Sequence, residues 1–258
     1  MASMWARPHL PWRKTKDPYK ILVSEIMLQQ TQVERVIPFY NRFIKKYPTA
    51  RALSRASLRD VLKMWNGLGY NRRTKFLHQA AKQLGKSDFP KTAEEIEKLP
   101  GVGHYTARAI AAFAFNKPEV FIETNIRTVL LHRFYSSVLQ KTAIADEELL
   151  PLVAETLKRS HMEPRDFYAA MMDYGAHLKK QGVRLNSKSE HYIKQSKFEG
   201  SARQLRGAIL RELLKHHSTL TMLSSHIPRS REELTHELTR LAAEGLVKLH
   251  GKFFAVAD

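Results

Sequence analysis

Two glycines separated by one residue form the first motif in this chain that could bind a ligand. The segment Leu99–Ile110 has the sequence Leu-Pro-Gly-Val-Gly-His-Tyr-Thr-Ala-Arg-Ala-Ile, in which the glycines allow a tight turn between two helices. Backbone amides at the start of the second helix then point outward and can bind a phosphate. The predicted contact residues are Gly101, Val102, Gly103, His104 and Thr106. Such a contact positions a nucleic acid without reading its sequence, although the spacing also fits a plain helical hairpin.

Helices are the elements that must position this glycine hairpin. Between residues 19 and 177 apolar residues recur three and four apart, and strand-like alternation is nearly absent. Thr92 and Glu95 form a capping-box pattern just before the hairpin. The sequence therefore predicts an all-α first domain over residues 1–196.

The C-terminal tail follows a different pattern. Residues 179–196 are polar and Lys-rich, which is typical of a loop or linker. The sequence then predicts an amphipathic helix over residues 203–217, a short helix over residues 221–226 and a third helix over residues 230–244. Residues 246–256 favour two strands joined by a tight turn. Three helices and a hairpin are typical of a winged helix, which we predict over residues 197–258. Arginines at and before its third helix could contact DNA, but the helix also carries glutamates, so contact with DNA, contact with a protein and a structural role all remain open. The arginines are Arg229, Arg231 and Arg240, and the glutamates are Glu232, Glu233 and Glu237.

The net charge and the amino-acid composition indicate which kinds of binding partner and cofactor the chain can have. Lys and Arg number 43 against 25 Asp and Glu, giving a formal net charge of +18. This surplus favours a polyanionic partner, with a merely soluble basic protein as the alternative. The absence of cysteine excludes disulfides, thiolate zinc sites and cysteine-ligated iron–sulfur clusters, and no histidine spacing indicates a metal site. No apolar run approaches the ~20 residues of a membrane span, so we expect a soluble intracellular protein. We also expect a monomer that is associated with DNA in the cytoplasm or nucleoid.

Several motifs occur in an order that matches a known family. Ser24–Val33 has the sequence Ser-Glu-Ile-Met-Leu-Gln-Gln-Thr-Gln-Val, and the glycine hairpin follows it. Further motifs lie at Pro11–Arg13, Trp65–Tyr70, Thr124–Leu130 and Met172–Ala176. Together they resemble the helix-hairpin-helix DNA glycosylases, most closely the adenine glycosylases of the MutY family, over about residues 10 to 200. The resemblance implies a two-lobed all-α glycosylase domain with a groove for duplex DNA between its lobes.

The resemblance implies two catalytic carboxylates. Glu25 corresponds to the general acid that protonates the base and then helps to deliver water, and burial among apolar neighbours would raise its pKa. A surface glutamate on an amphipathic helix is the alternative. Glu123 stands where the family has an aspartate that stabilises the positively charged sugar. Its extra methylene shifts the carboxylate, and it is alternatively a cap of the following helix.

Four further residues take their expected roles from the same resemblance. Tyr105 occupies the position at which endonuclease III relatives have a nucleophilic lysine, so water is the expected nucleophile and the enzyme is expected to be monofunctional. Asn125 matches a supporting asparagine of the catalytic site. Gln30 and Tyr70 match residues that wedge into DNA beside the extruded nucleotide, although Tyr70 also suits ordinary packing.

Two features of the resembled family are missing. Its four cluster-binding cysteines correspond here to Lys179, Asn186, Ser189 and Gln195, so we expect no iron–sulfur cluster, no metal and no other cofactor. We expect the loop over residues 179–196 to be held by packing and hydrogen bonds, including Tyr192 and lysine side chains. We also expect the tail to stand in place of the domain with which adenine glycosylases recognise 8-oxoguanine.

The sequence as a whole predicts a base-excision-repair glycosylase that leaves an abasic site. Adenine opposite guanine or 8-oxoguanine is the first expected substrate, and thymine or uracil opposite guanine is the second. The principal alternative is a non-catalytic protein that binds DNA structures and retains the glycosylase fold. A winged-helix transcription regulator would explain the tail but not the first 196 residues.

Overall fold

Helices make up most of the regular structure in this computed structural model, which describes residues 5–135, 144–190 and 197–257. The α-helices are α1 (Pro18–Leu28), α2 (Val33–Lys46), α3 (Ala50–Ser54), α4 (Leu58–Trp65), α5 (Arg72–Leu84), α6 (Ala93–Glu97), α7 (His104–Phe115), α8 (Thr124–Phe134), α9 (Asp146–Ser160), α10 (Pro164–Lys180), α11 (Ala202–Lys215), α12 (Leu220–His226) and α13 (Arg231–Ala243). Short 3-10 helices span Pro11–Lys14 and Leu185–Lys188. The helical class predicted from the sequence is confirmed.

The tail contains the strands of a two-stranded antiparallel sheet, β1 (Val247–His250) and β2 (Phe253–Val256). The predicted order of three helices and a hairpin therefore occurs after residue 201, while its assignment as a winged helix stays a prediction.

Side-chain caps explain where several helices begin. Thr92 accepts a hydrogen bond from the backbone amide of Glu95 at 3.3 Å, at the start of α6. Ser57 accepts from the amide of Asp60 at 3.0 Å, at the start of α4. Each cap satisfies an amide that has no partner within its own helix. None of the described helices has both the length and the apolar character needed to cross a membrane.

Contacts divide the chain into two compact units. The first unit comprises Met1–Glu25 and Pro90–Lys194, and the second comprises Ile26–Phe89 and Gln195–Asp258. In the first unit α10 packs tightly against the start of α8. A Cβ added to Gly175 would lie 2.2 Å from the carbonyl oxygen of Asn125, so only glycine permits this approach.

The second unit has a core that the tail shares with α4. Leu58 and Leu62 of α4 are buried in one cluster with apolar residues of α11, α12, α13 and the hairpin. Arg59 also donates to the carbonyl oxygens of Leu213 and Leu214 at 3.3 and 2.7 Å. These contacts tie the tail to residues 26–89, and the sequence-based domain boundary after residue 196 stays a prediction.

Candidate active site and DNA-contact residues

Glu25 is a buried acid on α1 in the first unit. Its exposed fraction is 7%, and Ile21 and Leu22 of the same helix are also buried. The hydroxyl of Tyr105 donates a hydrogen bond to Glu25 Oε2 at 3.1 Å. Burial raises the pKa of Glu25 to about 7, against the opposing effects of the Tyr105 hydrogen bond and the charge of Arg13. Glu25 therefore has an environment suited to a proton donor near neutral pH.

Arg13 is the cation that has a resolved effect on the pKa of Glu25, which its charge lowers. Its Nη2 lies 3.4 Å from Asp173 Oδ1, and its guanidinium lies over the ring of Phe113. Its Nη1 is buried without a hydrogen-bond partner in the described part of the chain. Burial also lowers the pKa of Arg13. The motif Pro11–Arg13 contributed to the family resemblance, but the sequence analysis assigned Arg13 no role.

Glu123 caps α8 with its carboxylate. Its Oε1 accepts hydrogen bonds from the backbone amides of Asn125 at 2.7 Å and Ile126 at 3.0 Å. The capping role weighed as an alternative is therefore present in the structure. Glu123 also raises the pKa of Glu25 by Coulombic repulsion, so the two carboxylates interact electrostatically. Capping does not remove the negative charge, and the catalytic role of Glu123 stays a prediction.

Asn125 connects Glu123 to a lysine. Its Nδ2 donates to Glu123 Oε2 at 3.2 Å, and its Oδ1 accepts from Lys179 Nζ at 2.8 Å. The structure thus brings Glu123, Asn125 and Lys179 together at the start of α8. The sequence analysis placed Lys179 only at the position of a missing cluster ligand and did not predict this contact.

The residues at the positions of the family's cluster-binding cysteines have side chains that do not suit an iron–sulfur cluster. Lys179 offers an amine that already donates to Asn125, and Asn186 Nδ2 donates to Thr128 Oγ1 at 2.8 Å. Ser189 takes part in a parallel backbone bridge with Ile144. None of these three residues provides the thiolate that such clusters require. Gln195 and Tyr192 lie outside the described residues.

The glycine hairpin forms between α6 and α7. Gly101 has a φ of +78°, and a Cβ on Gly103 would contact nothing within 4 Å. Val102 and Thr106 are buried, with exposed fractions of 7% and 3%. Both side chains are thus largely removed from solvent, and contact of these two residues with DNA stays a prediction. Gly103 is the N-cap of α7 and has no side chain that could cap the helix, so the phosphate contact at this helix start stays a prediction.

His104 is exposed at the same helix start, but it already has polar neighbours. Its Nδ1 lies 2.7 Å from Arg108 Nη1 and 3.5 Å from a carboxylate oxygen of Glu97. Arg108 lies 3.6 Å from the same Glu97 oxygen. Contact of His104 with phosphate stays a prediction, and Arg108 is a nearby cation that the sequence analysis did not select.

Gln30 and Tyr70 both have backbone conformations that are unusual for residues other than glycine. Their φ angles are +54° and +51° in the second unit. Such angles cost free energy and occur mainly at turns and functional sites. Arg73 braces the two segments, since its guanidinium donates to the carbonyl oxygens of Ile26, Met27, Gln29 and Gly69 and to Thr31 Oγ1.

Tyr70 lies against two arginines. The guanidinium carbons of Arg73 and Arg203 lie 5.0 and 5.5 Å from the centre of its ring. Arg203 Nη1 also donates to the Tyr70 hydroxyl at 2.8 Å. Tyr70 thus has defined packing partners, one of them in α11 of the tail, and its action as a wedge stays a prediction. Neither arginine was singled out by the sequence analysis.

One group of histidine and carboxylate side chains lies close enough to surround a metal ion. The ligand atoms of Glu212, His216 and His226 lie within 4.8 Å of one another at the ends of α11 and α12. Lys215 donates to Glu212 Oε1 at 2.8 Å, so this carboxylate already has a cationic partner. The sequence analysis recognised no ligand spacing among these histidines.

Comparison with known proteins identifies the family. Residues 23–155 match the HhH-GPD superfamily of base excision DNA repair proteins. This chain belongs to that superfamily. The matched region of the HhH-GPD protein includes Glu25, Tyr105, Glu123 and Asn125, so the resemblance predicted from the motifs is confirmed.

Named relatives of the HhH-GPD protein include adenine DNA glycosylases. That of Buchnera aphidicola subsp. Baizongia pistaciae is 41% identical over 175 residues, which cover 67% of this chain and 49% of the relative. That of Mycolicibacterium smegmatis is 39% identical over 176 residues, which cover 66% of this chain and 58% of the relative. The chain thus spans about half the length of these relatives.

A solved structure shares the fold. A thermostable thymine-DNA glycosylase aligns with a TM-score of 0.56 and 30% identity, covering 65% of this chain and 77% of the other. The likeness agrees with the helical class and with membership of the superfamily.

Proposed function

We propose that this HhH-GPD protein is a DNA glycosylase that hydrolyses the bond between a base and its sugar in duplex DNA, leaving an abasic site. The observation that carries the proposal is the environment of Glu25. It is a buried carboxyl with a pKa raised to about 7 and a hydrogen bond from Tyr105. Burial of an acid costs stability, which is typical of a group retained for chemistry.

The proposed reaction begins with extrusion of the target nucleotide from the base stack. Protonated Glu25 donates its proton to the base as the glycosidic C–N bond breaks and its electron pair leaves with the base. The carboxylate of Glu123 stabilises the positive charge that develops on the sugar. Water then attacks the sugar carbon, and the Glu25 carboxylate accepts a proton from that water. This sequence returns both carboxyl groups to their starting states.

Tyr105 supports a hydrolytic rather than a lyase reaction. Its phenol donates to Glu25, and burial raises its pKa well above the ordinary value. A phenol held neutral in this way is a poor nucleophile and cannot form a Schiff base. We therefore propose a monofunctional enzyme in which water is the nucleophile.

Adenine opposite guanine or 8-oxoguanine is the proposed substrate. Support comes from the adenine DNA glycosylases that are 41% and 39% identical to this chain. Thymine or uracil opposite guanine is the second candidate, because the structurally similar protein is named a thymine-DNA glycosylase.

The proposed enzyme acts as a monomer on duplex DNA inside the cell and without an iron–sulfur cluster or other cofactor. Its surplus of basic residues supports the choice of a polyanionic partner. We further propose that the tail is a winged helix, on the basis of its three helices and antiparallel hairpin.

A panel of labelled duplexes tests the function. Each mismatch and each common base lesion is incubated with the protein, and products are analysed with and without hot alkali. We expect adenine release opposite guanine or 8-oxoguanine, with strand breaks only after alkali. Breaks without alkali would contradict the monofunctional assignment. Tight duplex binding without base release from any member would instead favour the non-catalytic DNA-binding protein.

A further inference from the structure

A lysine, an amide and a carboxylate are joined in a row at the start of α8. Lys179 Nζ donates to Asn125 Oδ1 at 2.8 Å, and Asn125 Nδ2 donates to Glu123 Oε2 at 3.2 Å. The backbone amide of Asn125 donates to the other carboxylate oxygen, Oε1, at 2.7 Å. Both ends of the Asn125 side chain and both oxygens of the Glu123 carboxylate are therefore engaged.

The order of these groups allows only one orientation of the Asn125 amide. An ammonium group has donors and no acceptor, so Lys179 must face the amide oxygen. The carboxylate of Glu123 has acceptors and no donor, so it must face the amide nitrogen. Rotating the amide by half a turn would set two donors against each other and two acceptors against each other. Lys179 thus fixes from one side the group that holds Glu123 from the other.

Packing holds Lys179 at this position. Gly175 lies one helical turn before Lys179 on α10, and the absence of its side chain lets α10 approach Asn125. Burial lowers the pKa of Lys179, and the charge of Glu123 opposes that shift. The other charged groups with a resolved effect on Lys179 are cationic, namely Arg127, Arg184 and Arg7. A lysine held among cations and partly removed from water requires compensating partners, and Asn125 and Glu123 provide them.

We propose that Lys179 is a positioning residue for the carboxylate of Glu123, acting through the side chain of Asn125. This inference rests on the proposed function, because it requires Glu123 to stabilise the sugar cation. It also assigns a role to a position at which the resembled family has a cluster-binding cysteine. The C-terminal end of α10 then contributes to catalysis through a hydrogen-bonded lysine.

Lys179→Met tests the proposal, with Lys180→Met as a matched control. Both variants lose one positive charge at the end of α10, but Lys180 is exposed. We expect Lys179→Met to lower the single-turnover rate of base release about tenfold, the scale of one charge-assisted hydrogen bond. Its dissociation constant for the duplex should equal that of Lys180→Met. Lys179→Arg, which keeps the charge and the donors, should recover most of the rate.

A double-mutant cycle separates positioning from general support of the fold. In an Asn125→Ala background Lys179→Met should have no further effect on the rate, because the group through which it acts is gone. A second tenfold loss in that background would overturn the proposal. Equal rates for Lys179→Met and Lys180→Met would also overturn it.

The design distinguishes failure of this inference from failure of the proposed function. If the unmodified protein releases no base from any duplex, the proposed function fails and this inference fails with it. If the unmodified protein is active and Lys179→Met matches the control, only this inference fails. Should Lys179→Met fail to fold, Lys179→Leu replaces it in the single variant and in the double-mutant cycle, since leucine also removes the donor and the charge. The expected loss is again about tenfold, and an unchanged rate again overturns the proposal.

Discussion

Glu25 in the first unit and Tyr70 in the second have environments that act on the side chain by different physical means. Glu25 is buried and accepts a hydrogen bond from the phenol of Tyr105, and burial raises its pKa to about 7. Tyr70 has a φ of +51°, and two arginines contact its ring. Burial shifts the protonation equilibrium of Glu25, whereas the backbone and the arginines fix the orientation of the Tyr70 side chain. Substitutions near Glu25 should therefore change chemistry and pH dependence, and substitutions near Tyr70 should change geometry.

The largest effect is expected from Glu25→Gln. The amide keeps the shape of the side chain but cannot donate the proton, so base release should fall by about a thousandfold. Duplex affinity should remain within about twofold, because the proton is used in the reaction rather than in binding. Single-turnover assays and binding titrations measure both quantities.

Glu34→Gln is the control for this prediction, since Glu34 is an exposed glutamate at the start of α2. It should behave like the unmodified protein. Turnover of Glu25→Gln at the unmodified rate would remove Glu25 from the mechanism.

Glu25 should also change how stability depends on pH. Because its pKa in the folded protein is about 7 against an ordinary value of 4.5, its stability contribution is fully present below pH 4.5 and is lost as pH rises through 7. Glu25→Gln has no such loss. Relative to the unmodified protein, its free energy of unfolding should rise by on the order of 3 kcal/mol between pH 4.5 and 8. Urea unfolding across that range measures it, and a constant difference would show that Glu25 is not held neutral.

Burial of Glu25 was predictable because the cause is local in the sequence. Ile21 and Leu22 precede Glu25 on one helix, and the helical period brings such residues to the same buried side. The hairpin was predictable for a similar reason, since Gly101 supplies the positive φ that its turn uses. Local patterns of this kind account for most of the helices as well.

Contacts between distant residues were not predictable in the same way. Lys179 and Asn125 are 54 positions apart, and only the packing of α10 on α8 brings them together. Arg73 and Arg203 belong to a chain with 43 basic residues, and no local pattern distinguishes them from exposed arginines. The sequence resemblance located the predicted Glu123 and Tyr70 roles but contained no information about the residues that support them.

Glu123→Gln should have the next largest effect. The amide oxygen can still accept from the backbone amides of Asn125 and Ile126, so the cap of α8 is kept. The loss of charge removes stabilisation of the sugar cation, and base release should fall by about a hundredfold. Single-turnover rates measure the change, with thermal unfolding as the check on the fold. An unchanged rate would leave Glu123 with capping as its only role.

Glu123→Asp should be less damaging and more informative. Aspartate also caps helices well, and it restores the residue of the resembled family. In this structure, however, Asn125 Nδ2 and Lys179 are arranged around the longer glutamate. We therefore expect base release to fall about tenfold, since a displacement of about 1 Å costs catalytic rate. A rate equal to or above that of the unmodified protein would show that the site has not adapted to glutamate.

The smallest effect is expected from Arg203→Met in the tail. Arg203 donates to the Tyr70 hydroxyl and lies beside its ring, but Arg73 and the backbone still hold Tyr70 after the substitution. We expect base release to fall about fivefold, which is the scale of one hydrogen bond. Arg211→Met provides the control, because Arg211 is an exposed arginine on the same helix and its loss changes the net charge equally.

Tyr70→Phe shows whether the hydroxyl carries the effect of Arg203. This variant should lose about as much activity as Arg203→Met, and the two substitutions together should cost no more than either alone. Such a result would mean that the tail contributes to function by orienting Tyr70, in addition to sharing a core with α4. If Arg203→Met instead equals Arg211→Met, the contact between Arg203 and Tyr70 only stabilises the fold, and the geometry of Tyr70 depends on Arg73 and the backbone.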